Sequence, residues 1–226
     1  MARAHGRVAA VILAAMLLAA AGCLPDFKNP LPAPKDLKVD TDIVGAWSRT
    51  KLMGESEVLL VLPRRNGWVS VYYFDCDADS DHNPTLSCEF EGYTVRVKGE
   101  RFFCFRVPPR TSWDGRGEKP KPPPFRIARY QITDKGQLRV DLFAIGPVEK
   151  LIKKGSLAGK TTVTVTRSKI GERRRKSVLV TATSEALLAA VTKHGSAAFV
   201  DRDDPWVYER FDRKHLLPRE PAGAGK

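Results

Sequence analysis

The sequence predicts a mainly β chain: a single antiparallel barrel or half-open barrel, with one short helix and one C-terminal helix. Three observations lead there. Short runs rich in Val, Tyr, Phe and Thr recur from residue 43 onward, separated by turn residues, as antiparallel strands are. Asn66-Gly67 and Asp134-Lys135-Gly136-Gln137 each sit between two such runs, where hairpin turns belong. Only two stretches have helical spacing, and one of them falls late. Closure of the sheet removes unpaired edges, which suits a monomer.

The elements follow in order. Residues 43–50 hold Gly45-Ala46-Trp47, and residues 57–62 form a strongly apolar run. Asn66-Gly67 tolerates the positive φ of a tight turn, so residues 68–74 return as the partner strand. After an acidic loop come strands at 86–90, 93–97 and 101–107, then a hairpin joining 125–133 to 138–145. Leu138, Val140 and Leu142 alternate there with Arg139 and Asp141, which marks one buried face. Residues 147–154 fit a short helix with Pro147 at its start and Gly155 as a stop. Residues 161–166 and 178–182 read as strands, with the basic stretch from Lys169 to Lys176 as a solvated loop between them. The second helix covers 185–194, capped by Thr183 or Ser184 and ended by Gly195, and 206–211 is a final strand.

The first residues have another purpose. Arg3 and Arg7 precede an uncharged apolar run over residues 8–21. Those 14 residues reach only about 21 Å as a helix, short of the roughly 30 Å hydrocarbon core, so they read as a targeting signal. Leu18-Ala19-Ala20-Ala21-Gly22-Cys23 resembles the lipobox of bacterial lipoproteins. The resemblance implies diacylation of Cys23, cleavage just before it, and attachment to a membrane lipid layer in the cell envelope. An ordinary secretory signal is the alternative, since Ala19-Ala20-Ala21 also offers a small-x-small cleavage site. Leu24 stands where Asp marks inner-membrane retention in enteric bacteria, so the same resemblance points to the outer membrane. The expected organisation is a signal at 1–22, a lipid-anchored Pro-rich linker at 23–40, a barrel domain at 41–212 and a tail at 213–226. Pro25, Pro30, Pro32 and Pro34 make that linker an extended stalk of roughly 50 Å at about 3.1 Å per residue.

Gly45-Ala46-Trp47 on a first strand, with a late helix and a last strand ending near Arg210, is similar to the lipocalin plan. That family places an Arg from the far end of the barrel over the first-strand Trp and holds a small apolar ligand inside. The implied pocket residues are Trp47, Trp68, Tyr72, Phe74 and Phe103. Read from the residues alone, the aromatic cluster fits a filled core better than a ligand box.

Charge and cysteines narrow the rest. The net charge is +12, and removing Arg3 and Arg7 leaves +10. Between Glu149 and Lys176 stand ten Lys or Arg against two Glu, including Lys153, Lys154, Arg173, Arg174, Arg175 and Lys176. Such a face fits an anionic envelope surface, and no nucleic-acid-binding motif accompanies it. Cys76 and Cys88 would close a short disulfide loop in an exported protein, leaving Cys104 within an aromatic strand. Asp77, Asp79 and Asp81 begin a calcium-loop pattern, but His82 occupies the required glycine and Cys88 the bidentate glutamate, so no metal site is assigned. No nucleophile motif surrounds His82, His194 or His215, so neither catalytic residues nor a cofactor are expected. Two roles remain: a lipoprotein binding a small apolar ligand or envelope component, and an interaction module with a filled core. Hydrolase chemistry would need perturbed titratable groups in a cleft.

Overall fold

The computed structural model describes residues 24–50, 56–76, 85–108, 123–168, 171–200 and 205–211. Residues 1–23, where the signal and the lipidated Cys23 are expected, and residues 77–84, 109–122 and 212–226 lie outside the described residues.

Eight strands close an antiparallel barrel. In chain order they are β2 (Gly45–Thr50), β3 (Ser56–Pro63), β4 (Trp68–Cys76), β5 (Thr85–Val97), β6 (Glu100–Arg106), β7 (Arg126–Ile132), β8 (Leu138–Leu142) and β11 (Trp206–Arg210). Each pairs with its predecessor, and β11 seals the barrel between β8 and β2. The β3–β4 turn is the expected one: Asn66 and Gly67 have φ of 70° and 78°. A Cβ at Gly67 would also lie 2.3 Å from the Leu37 carbonyl oxygen, so glycine is required there twice over.

The two runs expected at 86–90 and 93–97 are one strand. It passes through Gly92, where a Cβ would sit 2.2 Å from the Cys104 carbonyl oxygen and 2.9 Å from the Phe103 ring. The missing side chain lets β6 and an aromatic ring close on the backbone there.

Between β8 and β11 the chain leaves the barrel wall. It forms α1 (Ile145–Lys153), β9 (Gly159–Ser168), β10 (Gly171–Val180) and α2 (Ser184–His194). Helix α2 starts as the sequence indicates, with the Thr183 hydroxyl accepting from the Ala186 amide, and Gly195 ends it at φ 73°. The basic stretch is not a loop. Arg173 to Lys176 lie within β10, whose backbone pairs residue by residue with the Thr- and Val-rich β9.

The N-terminal stalk is also corrected. Asp26–Phe27 forms a short strand, β1, parallel to β10, in a separate three-stranded sheet β1-β10-β9. Phe27 and Leu31 are fully buried, and the Tyr93 hydroxyl donates to the Leu31 carbonyl. Residues 24–40 therefore belong to the folded body, because two large apolar side chains recover more by burial than an extended segment recovers by remaining solvated.

Two cores result. Inside the barrel, Trp47, Val61, Val69, Val71, Tyr130, Leu138 and Tyr208 pack together. Outside it, the opposite faces of β5, β6 and β7 pack with Phe27, Leu31, Phe143, Val148, Leu187 and Phe199 of the N-terminal segment and the insertion.

Candidate functional site

The five residues expected to line a pocket do not share one. Trp47 is fully buried inside the barrel, its indole N–H donating to the Ile43 carbonyl at 2.8 Å. Phe103 is half-buried and stacks on Phe105 with ring centres 5.2 Å apart. Trp68 packs in the outer cluster, 5.4 Å from the Tyr93 ring, with the Arg106 guanidinium 5.5 Å above it. Tyr72 and Phe74 alternate with the inward-facing Val71 and Tyr73, so they stand on the other face of β4.

Two hollows lie elsewhere. One, of about 60 Å³, opens between Phe90, Phe105, Pro124 and Arg126. The other, of about 290 Å³, is an open groove between α1 and the turn at 196–198, with Lys150 and Lys154 at its edge. Neither is lined by any of the five expected residues.

Polar groups occupy both ends of the barrel. At one end the buried Glu57 carboxylate accepts from Arg49 Nε at 3.0 Å, Tyr73 Oη at 2.6 Å and Tyr208 Oη at 3.4 Å. The Arg49 guanidinium lies 5.2 Å from the Trp206 ring centre and 5.5 Å from that of Tyr208. Burial pushes both phenols up from their ordinary value, and the Glu57 carboxylate adds to the effect, so they stay neutral donors. At the other end Asp40 accepts from Tyr130 Oη at 2.9 Å and pairs with Arg101 and Arg96 at 3.5 and 3.6 Å. The sequence reading missed the Glu57 cluster because it took residues 57–62 as an apolar run and gave the Glu no role of its own. The signal was the register: Glu57 faces Asp75 across β3 and β4.

Lys153 and Lys176, from the expected basic face, meet around Glu149, at 3.0 and 2.9 Å from its two carboxylate oxygens. The hydrogen bond from Lys176, then that from Lys153, holds the Glu149 carboxyl below its ordinary value. Lys154 and Arg175 are exposed. Arg173 and Arg174 stand in register opposite Thr166 and Val165, and their side chains lie outside the described ones. Asp26, beside this face, is pushed up by burial, while Arg126 at 3.6 Å opposes the shift.

No disulfide is present among the described residues. The register sets Cys88 opposite Tyr73, three positions short of Cys76 on β4. Three residues of strand span about 10 Å. A disulfide joins Cα atoms only about 4.4 to 6.8 Å apart. Cys104 is fully buried, and burial pushes its thiol up to about 12. His194 is exposed at the end of α2. Among the described residues no three His, Cys, Asp or Glu side chains gather to hold a metal ion, and no helix is long and apolar enough to cross a membrane.

The arrangement offers packed rings, a carboxylate satisfied by three donors, and one strongly basic ribbon. Compared with family models, curated proteins and solved structures, the chain gives no match.

Proposed function

We propose that this chain is a non-catalytic cell-envelope lipoprotein, tethered through acylated Cys23, whose lipocalin-like barrel is a filled scaffold for an interaction surface. The carrying observation is the packed interior: Trp47, Tyr208 and Val69 are fully buried where the pocket was expected. The lipocalin-like reading is supported by Arg210 lying 4.7 Å from the Trp47 ring centre, the pairing that resemblance implies. With the interior taken up by side chains, the basic extension is the natural working face.

Intact and native mass spectrometry of protein purified from its own membranes tests this reading. The expected result is an acyl-bearing N-terminal Cys23 and no stoichiometric apolar companion. Cys23→Ser should move the protein from the detergent phase to the aqueous phase. A co-purified apolar molecule at one per chain would replace the scaffold role with ligand binding. An unmodified Cys23 would end the tether.

A further inference from the structure

We infer that the β9–β10 ribbon rests on the anionic headgroups of the bilayer that carries the anchor, so that the domain lies against the membrane surface. The inference deepens the tethering proposed above and depends on it.

The parallel pairing of β1 with β10 gives the direction. Asp26 stands level with Leu179 and Phe27 with Val180. The chain N-terminal to Asp26 therefore leaves β1 toward the Gly171 end of β10, where Arg173, Arg174, Arg175 and Lys176 stand. Cys23 precedes Asp26 by three residues, which is at most about 10 Å of extended chain. That is about one Debye length, roughly 8 to 10 Å between physiological and 0.1 M salt, so the arginines still feel part of the surface potential. An anchor on a long stalk would have kept them beyond it.

The ribbon itself matches a headgroup layer. Residues 162–165 and 175–177 are exposed, so the two strands project beyond the body. On the face that buries Val178 and Val180 at the root, Val163 and Val165 continue outward at 53% and 46% exposure. Directly opposite them in register are Lys176 and Arg174. Exposed valines on a strand pair that carries three consecutive arginines suit the boundary between phosphates and acyl chains. Glu172 is the sole carboxylate in residues 159–180, and Glu149, the neighbouring one on α1, is already engaged by Lys153 and Lys176.

The test uses acylated protein reconstituted with vesicles of phosphatidylcholine, alone or with roughly one part in three of phosphatidylglycerol. Flotation with the neutral vesicles reads the anchor. Amide hydrogen exchange over residues 160–177 reads the ribbon. Slower exchange on the anionic vesicles is expected, reversed by high salt. At about fivefold per basic residue, the triple variant Arg173→Gln, Arg174→Gln, Arg175→Gln should reduce that protection about a hundredfold, with an unchanged circular dichroism spectrum. Flotation with equal exchange on both vesicles overturns the inference and leaves the anchor standing. Slowing by a soluble polyanion such as heparin, but not by the anionic vesicles, overturns it in favour of a polymer partner. Failure to float with neutral vesicles removes the anchor, and the inference with it.

Discussion

The guanidinium of Arg210 covers the ring of Trp47 at 4.7 Å, and its terminal nitrogens reach the Val44 and Asp42 carbonyls at 3.4 and 3.3 Å. One side chain from the last barrel strand thereby caps the first. A Cβ at Gly45 would sit 3.1 Å from that guanidinium, so glycine leaves room for the clasp. Arg210→Ala should cost about 1 to 2 kcal/mol, the sum of a cation–π contact and two long hydrogen bonds. The urea midpoint should fall at unchanged slope, and Arg210→Lys should recover only part, since it lacks the planar fork.

Phe27 packs edge-on against Phe143 at 6.1 Å and exchanges backbone hydrogen bonds with Phe125 at 2.8 and 2.9 Å. Phe27→Ala is expected to destabilise by about 3 to 5 kcal/mol, as for other buried rings. Chemical denaturation followed by tryptophan fluorescence measures it. An unchanged midpoint would mean that residues 24–40 are a detached stalk after all.

Gly92→Ala should destabilise by about 1 to 3 kcal/mol, because the new methyl meets the Cys104 carbonyl oxygen at 2.2 Å. Gly136→Ala is the control: nothing lies within 4 Å of a Cβ there, and the only penalty is its φ of 73°. If Gly92→Ala cost no more than the control, β5 and β6 would not approach as closely as described.

Glu149 gives a pH dependence of definite sign. Lys176 and Lys153 hold its folded carboxyl below the ordinary value of 4.5. Its ionised form is thus favoured by folding, and the contribution is complete above about pH 4.5 and lost as pH falls through the depressed folded value. The stability gap between wild type and Glu149→Gln, taken from urea midpoints from about pH 7 down to about pH 3, should close toward acid. A gap that widened toward acid would contradict the pairing.

Much of the fold was legible because local chemistry and global placement agreed. Asn66-Gly67 can hardly be anything but a turn, and Thr183 caps the helix that its position announces. Leu138, Val140 and Leu142 alternate in the barrel wall, but the face expected to be solvated also packs: Asp141 is buried there, accepting from Arg129 and Arg139. Phe27 and Leu31 were misread because single apolar residues among prolines carry no period; their burial depends on β10, which follows some 150 residues later. Arg173 to Lys176 look like loop because four adjacent cations disfavour a strand on their own, yet β9 pairs with them residue by residue along one edge. The pocket residues were ambiguous in kind: an aromatic-rich barrel and an aromatic-filled one have the same composition. Only packing separates them.

Strand β11 joins β2 on one side and β8 on the other. A chain emerging from its N-terminus therefore carries two unmated edges until residues 206–210 have appeared, and such edges recruit other chains. Truncation between β8 and Trp206 would yield an open, self-associating sheet, so closure of the barrel waits on a strand made more than 60 residues after the one it joins.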